Sequence, residues 1–354
     1  MSPAEIIAAF RQAMRAEGLG TDDELLADGR AHRYHVKDDR PSERNGVYSL
    51  FADGLPAGWF GSHRGGFAVH TWTAKRADSM TATEREAHRK RMAAACTARE
   101  KEEKRRHDEA ARKAAAIWDK AGPAPESSLY LTRKAVKPHR LRATTWRKWE
   151  RDAAGKWIER AFPGAWLVPL RNAAGELRSL QAILPEKAAN DRDKDFLPGG
   201  EKRACWFWIA APAADAPILL AEGYATGASL HEATGCAVAV AFDAGNLQPV
   251  ALALRAKYPA AALVICADND RQTEGNPGLS KAREAARAAG AALAWPEFAE
   301  DEEGSDFNDL AAIHGAEPLR AAVARAVEEA EALARPDAPS ADSEDSEPAP
   351  ADFL

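Results

Sequence analysis

The stretches that decide the fold are PILLAEG at 217–223, CAVAVAFD at 236–243 and AALVICADND at 261–270. Each contains a short apolar run of the kind that forms a buried strand in a parallel sheet. The segment 225–233 between the first two has helix-forming composition. Alternating strands and helices build βαβ units, in which ligands bind beyond the carboxyl ends of the strands. The sequence therefore predicts an α/β fold with acidic residues at one sheet edge.

The acidic residues at that predicted edge are Glu222, Asp268 and Asp270, and a further acidic turn, GSDFNDL, follows at 304–310. Carboxylates gathered at one edge repel one another unless a cation lies between them. A few hard oxygen ligands suit Mg²⁺ (or Mn²⁺), which keeps several waters and bridges to substrate phosphates. Each group alone is also compatible with an ordinary helix start or turn. The set together predicts a metal site formed by Glu222, Asp268, Asp270, Asp306 and Asp309.

Five motifs in order resemble the Toprim domain, in the form found in primases of phages and plasmids: AEGYATGASL (221–230), VAFDAGNL (240–247), CADND (266–270), NPGLSKA (276–282) and DFNDL (306–310). The resemblance covers roughly residues 217–315. It implies that Glu222, Asp268 and Asp270 are catalytic, with Glu222 as a metal ligand or a general base. It also implies nucleotide binding near Asn246. Lys281, in the first turn of a helix, is expected to face a substrate phosphate.

The segment before this domain resembles the basic N-terminal subdomain of the bacterial primase core. The resemblance rests on SLYLTRKAV (128–136), AWLVPL (165–170), GELRSLQ (175–181) and KDFLPGG (194–200). It implies that basic side chains face template and nucleotide phosphates, where charge neutralisation supplies most of the affinity. The residues concerned are Arg171, Arg178, Lys194, Lys202 and Arg203. An ordinary solvent-facing role is the alternative for each of them.

The rest of the chain divides by composition. The predicted domains are an N-terminal α+β module (1–78), a charged helical connector (79–121), the basic subdomain (122–212), the Toprim domain (213–335) and a disordered acidic tail (336–354). Ser2-Pro3-Ala4-Glu5 predicts a capped helix start, and short β-like runs begin at His32. The module contains no cysteine, so we expect template binding without zinc. A zinc site built from His32, His35, His63 and His70 is the alternative.

Charge, cysteine spacing and the length of apolar runs indicate the cellular compartment in which the protein works. The chain has a net charge of −6, and the tail after Pro336 holds six acids and no base, so the remainder is neutral overall. The four cysteines are scattered without a C-x-x-C pair, which indicates a reducing compartment. Because no apolar run reaches about 18 residues, we expect a cytoplasmic protein with no membrane segment.

The function that the resemblance implies is that of a DNA primase, which uses Mg²⁺ to make short RNA primers from ribonucleoside triphosphates on single-stranded DNA. The alternatives are a Toprim nuclease and a non-catalytic single-stranded DNA-binding or antirestriction protein. The basic subdomain favours the polymerase over the nuclease, and the complete carboxylate set disfavours a binding-only role. No G-x-x-x-x-G-K-[ST] motif occurs, so a separate replicative helicase is the expected partner.

Overall fold

The computed structural model describes residues 1–37, 39, 44–53, 55–62, 68–74, 81–125, 129–151, 157–213 and 216–334. The predicted disordered tail and His63 lie outside these ranges. The chain forms two compact units, Met1–Glu102 and Glu103–Leu354. No helix in the described ranges is long and apolar enough to cross a bilayer.

The first unit packs helix α1 (Pro3–Ala16) on an antiparallel sheet. The strands, in the spatial order of the sheet, are β1 (His32–Tyr34), β2 (Gly46–Phe51), β3 (Ala57–Ser62) and β4 (Ala68–Thr73). Ser2 and Glu5 form the expected capping box. Phe10 of α1 lies over Gly58, where an added Cβ would come within 2.8 Å of the Phe10 ring, so glycine permits this close packing. The predicted α+β module is confirmed.

The charged connector is a single helix, α2 (Ala82–Lys120). Its composition of Ala, Glu, Lys and Arg favours the helix, and pairs such as Glu109 with Lys113, 2.8 Å apart, add modest support. In the second unit, Ala114 near its carboxyl end is buried in a core with Trp146 and Phe162. The predicted long helix is confirmed.

The basic subdomain is built on an antiparallel five-stranded sheet. Its elements are β5 (Gly122–Pro123), α3 (Leu129–Lys134), β6 (Arg142–Arg151), β7 (Trp157–Arg171), β8 (Leu177–Ile183) and β9 (Lys194–Phe196), with the strands in sequence order. The two longest strands, β6 and β7, form a hairpin that continues past the end of the pairing between β7 and β8.

The remaining elements form a sheet with helices on both faces. They are β10 (Phe207–Trp208), β11 (Ile218–Ala221), α4 (Tyr224–Thr234), β12 (Ala237–Val240), α5 (Ala244–Lys257), β13 (Leu263–Cys266), α6 (Pro277–Ala289), β14 (Ala292–Ala294), α7 (Phe307–His314) and α8 (Ala316–Leu333). The strand order is β10-β12-β11-β13-β14; β11 to β14 run parallel, and β10 is antiparallel. Strands β11, β12 and β13 are buried throughout, as their apolar runs predict.

Strand order places the acidic residues together. Strand β11 lies between β12 and β13, and Ala221 is in register with Cys266. Glu222 and Asp268, which follow these two residues in the chain, therefore emerge at the same edge. Because the chain leaves β11 toward β12 on one side and returns at β13 on the other, this edge is a topological switch point, where open α/β sheets bind their ligands. The predicted α/β fold is confirmed.

Candidate active site

Three carboxylates influence one another at the carboxyl ends of β11 and β13. Burial raises the pKa of Glu222, and the nearby charges of Asp243 and Asp270 raise it further. Burial raises the pKa of Asp268 to about 8, with smaller contributions from Glu222, Asp306 and Asp270. Both groups therefore resist ionisation until a positive charge compensates them.

One oxygen at the centre of this group has no partner. Oδ1 of Asp268 is buried and accepts no hydrogen bond from any described residue. A buried acceptor without a partner destabilises the fold by about 1–3 kcal/mol, and more when it is charged. Such an oxygen fits coordination to a cation, because a cation would satisfy the lone pairs and stabilise the ionised carboxylate together.

Glycine at position 278 permits the approach of helix α6 to these acids. A Cβ on Gly278 would lie 2.8 Å from both the carbonyl oxygen of Asp268 and Oδ2 of Asp270. Instead, the backbone N–H of Gly278 donates to Oδ2 of Asp270 at 3.2 Å. The start of α6 thus orients one carboxylate oxygen of Asp270.

Asn269, between the two aspartates, is a residue that the sequence analysis missed. Its amide donates to the carbonyl oxygen of Pro296 at 2.9 Å and accepts from Nδ2 of Asn276 at 2.8 Å. Its backbone N–H donates to Ser305 at 2.6 Å. Because Asn276 caps helix α6, Asn269 links three segments around the acids. The position of Asn269 between two predicted metal ligands is the sequence feature that could have identified it.

The carboxylates of Asp306 and Asp309 both accept hydrogen bonds from backbone N–H groups at the start of helix α7. Oδ1 of Asp306 accepts from the backbone N–H of Asp309 at 2.9 Å, and Oδ2 of Asp309 accepts from that of Ser305 at 3.1 Å. The other oxygen of Asp309 lies 3.6 Å from Nζ of Lys134. Asp309 is thus held by Lys134 and the helix start, whereas Asp306 remains an electrostatic neighbour of Asp268.

The carboxylates share one neighbourhood without forming a closed ligand cluster. Across the described ranges, no three His, Cys, Asp or Glu side chains converge closely enough to hold a metal ion as they stand. A common ion therefore requires the side chains at this edge to draw closer together. The partnerless oxygen of Asp268, the mutual repulsion of the carboxylates and the all-oxygen donors fit a hard divalent cation.

A polar cavity of about 440 Å³ lies beside the acids. Its volume falls within the usual range for small-molecule sites. The lining residues are Asn269, Asp270, Arg271, Gln272, Thr273, Glu303, Gly304, Ser305 and Asp309. Arg271 donates to the carbonyl oxygens of Phe298 at 3.1 Å and Ala299 at 2.7 Å, which holds one wall in place.

Of the predicted phosphate-binding residues, Lys194 lies at the acidic edge. An added Cβ on Gly223 would lie 3.8 Å from its Nζ. Its positive charge lowers the pKa of both Glu222 and Asp268, partly opposing the effect of burial. Lys194 therefore combines an exposed position with direct electrostatic influence on the carboxylates.

The other predicted basic residues occupy different environments. The ammonium of Lys202 contacts Asp243 and lies 5.3 Å from the ring centre of Phe196. Arg203 is exposed and makes no hydrogen bond or ion pair within the described part of the chain. Arg171 donates to the carbonyl oxygen of Gly175 at 2.9 Å, and its pKa is lowered by burial and by the charges of Arg140 and Arg142.

Three other residues predicted to contact substrate have partners within the fold. Arg178 donates to Glu201 at 2.7 Å and to Asp108 of α2 at 3.0 Å, so it joins the helix to the sheet. Asn246 is only 3% exposed, and its amide bonds to backbone groups of Lys202, Ala204, Cys205 and Ala241. Its role is structural because its N–H groups are already engaged. Lys281 lies on the surface, 2.7 Å from Glu284.

Comparison with known proteins agrees with this geometry. Residues 217–317 match the family model of the Toprim domain, so the unit that carries the carboxylates is a Toprim domain, as its motifs predict. The chain is also 32% identical over 303 residues to DNA primase TraC of Escherichia coli, an alignment that covers 83% of this chain and 26% of TraC. The predicted resemblance to primases is confirmed.

A second DNA primase TraC of Escherichia coli is 30% identical over 311 residues, covering 84% of this chain and 20% of that protein. The chain thus spans about a quarter or less of the length of these relatives. Among solved structures, the RNA polymerase domain of Mycobacterium tuberculosis primase DnaG aligns with 64% of this chain and 87% of its own, at 18% identity and a TM-score of 0.42.

Proposed function

We propose that this chain is the catalytic part of a DNA primase, which synthesises short RNA primers on single-stranded DNA from ribonucleoside triphosphates. The observation that carries the proposal is the partnerless, buried Oδ1 of Asp268 within a carboxylate group at a strand-end edge. The similarity to proteins named DNA primase TraC supports the choice of reaction.

In this proposal Glu222, Asp268 and Asp270 hold Mg²⁺, with Asp306 as a nearby fourth acid. Bound Mg²⁺ supplies charge compensation for phosphates and activates an attacking hydroxyl. The carboxyl groups of Asp268 and Glu222 have raised pKa values, so a bound cation would stabilise their ionised forms. The N–H of Gly278 keeps Asp270 oriented.

Lys194 is the residue that we propose for contact with the nucleotide phosphates. It lies at the acidic edge and is exposed, so a triphosphate between it and the carboxylates would be paired with its positive charge. The adjacent polar cavity has the volume to receive part of a nucleotide. Arg171 and Arg203 are the residues proposed for the template backbone. We also propose that the chain acts in phage or plasmid replication and that a separate replicative helicase is its partner.

One assay tests the proposed reaction. The full chain is incubated with single-stranded DNA, labelled ribonucleotides and Mg²⁺, and the products are separated on a denaturing gel. Template-dependent oligoribonucleotides are expected from the wild type and not from Asp270→Asn. Degradation of the template without new RNA would contradict the proposal and indicate a nuclease. Binding without either reaction would indicate a non-catalytic protein.

A further inference from the structure

The end of the β6–β7 hairpin forms a two-stranded arm, here defined as Trp146–Arg151 and Trp157–Phe162. The arm pairs in antiparallel register from Trp146 opposite Phe162 to Arg151 opposite Trp157. Strand β8 pairs with β7 only from Trp166 onward. Within the arm, β7 is therefore paired with β6 on one side and not with β8 on the other.

One face of the arm is anchored to the segment 184–195. Nε1 of Trp146 donates to Asp195 at 2.8 Å, and Nζ of Lys148 lies 3.1 Å from the same carboxylate. Glu150 accepts from the backbone N–H of Ala189 at 3.1 Å. Because successive strand residues point to opposite faces, these contacts direct the residues between them away from the anchor.

The opposite face presents a tryptophan beside an arginine. The side chain of Trp149 is a large hydrophobic group that is 64% exposed. Arg147 lies two residues earlier, about 7 Å away along the strand. Its guanidinium is exposed and lies 3.0 Å from Glu159, which is opposite Trp149 in the register.

Charge distinguishes this arm from the chain as a whole. The arm carries four bases and two acids in sequence, whereas the chain has a net charge of −6. Lys148 and Arg160 pair with acids on the anchored face, so Arg147 is the base that lies beside Trp149. A basic strand pair with an exposed aromatic ring fits a polyanion with unpaired bases. Stacking on an indole requires a free base face, which single strands offer and duplexes do not.

We propose that this face of the arm binds single-stranded DNA, with a base stacked on Trp149 and a neighbouring phosphate paired with Arg147. The choice of DNA rests on the proposed primase function. Glu159 competes with the phosphate for Arg147, so its neutralisation strengthens binding. Ile158, also exposed on the arm but opposite inward-facing Glu150, supplies a matched control.

The test measures binding of a labelled single-stranded oligonucleotide to the full chain by fluorescence anisotropy, across a salt titration. Trp149→Ala is expected to weaken binding about ten- to fiftyfold without changing the salt slope, because it removes stacking and no phosphate contact. Trp149→Phe keeps most of the affinity. Arg147→Ala lowers the salt slope by about one, and Glu159→Gln tightens binding. Ile158→Ala binds like the wild type.

Several results would overturn the proposal. If the wild type binds single strands and Trp149→Ala stays within twofold of it, Trp149 does not stack on a base. An equal loss of duplex binding, or a changed oligomeric state in sedimentation without a change in DNA affinity, would assign the face another role. A wild type that binds no single-stranded DNA overturns this proposal and the template requirement of the proposed function together. A wild type that binds the template but makes no primers contradicts the primase function and leaves this proposal standing.

Discussion

Replacing Asp268 by asparagine should stabilise the metal-free protein at alkaline pH, because it removes a buried carboxylate that resists ionisation. The pKa of Asp268 is raised from an ordinary value of 3.8 to about 8, mainly by burial. A raised carboxyl pKa means that the folded state binds the proton more tightly than the unfolded state. Wild-type stability therefore falls as the pH rises between about 4 and 8, and the asparagine variant lacks this loss.

The magnitude follows from the pKa difference. Between pH 5 and pH 8 the wild type should lose about 4 kcal/mol relative to Asp268→Asn, at about 1.4 kcal/mol for each pH unit. The buried amide adds an unfavourable contribution of about 1–3 kcal/mol that does not vary with pH. The variant is thus expected to be no more stable than the wild type at pH 5 and clearly more stable at pH 8 and above.

Urea denaturation in the presence of a chelator, followed by circular dichroism from pH 5 to pH 9, measures this difference. Glu274→Gln is the control, since Glu274 is an exposed acid in the neighbouring loop and should give no pH-dependent gain. A stability difference between Asp268→Asn and the wild type that stays constant over this range would refute the assignment of Asp268 as a buried, repelled carboxylate.

Three other substitutions have defined outcomes. Asn246→Ala should destabilise the fold by about 2–4 kcal/mol in urea denaturation, because it leaves buried backbone groups unpaired; an unchanged midpoint would contradict the structural role. Gly278→Ala should weaken binding of Mg²⁺ measured by calorimetry, since its Cβ would press on Asp268 and Asp270, whereas Ser280→Ala should not. Lys194→Ala should tighten binding of free Mg²⁺ by removing a competing positive charge, while it weakens nucleotide binding. Equal effects on both ligands would argue against its proposed contact with phosphate.

The elements that the sequence predicted correctly are those encoded by local pattern. Apolar runs such as 217–221 identify buried strands, and the capping box of Ser2 and Glu5 identifies the start of α1. The position of Glu222 and Asp268 at one edge follows from parallel strand geometry, which requires no knowledge of side-chain packing.

The partners that the fold gives to the predicted site residues come from distant parts of the chain, which local sequence pattern does not encode. Arg178 looks like a phosphate ligand in sequence, and its actual partner Asp108 is 70 residues away. The amide of Asn246 bonds across 41 or more residues to the backbone near Cys205. Composition cannot distinguish a charged or amide side chain that is satisfied within the fold from one that is free for substrate.

Binding of Mn²⁺, followed by electron paramagnetic resonance as free ion is lost from solution, tests most directly whether the carboxylates at the ends of β11 and β13 hold a divalent cation. The wild type should immobilise Mn²⁺ and release it to excess Mg²⁺, Asp268→Asn should lose this binding, and Asp309→Asn should retain it because Lys134 and the start of α7 already hold Asp309. Equal Mn²⁺ affinity in the wild type and Asp268→Asn would contradict the account.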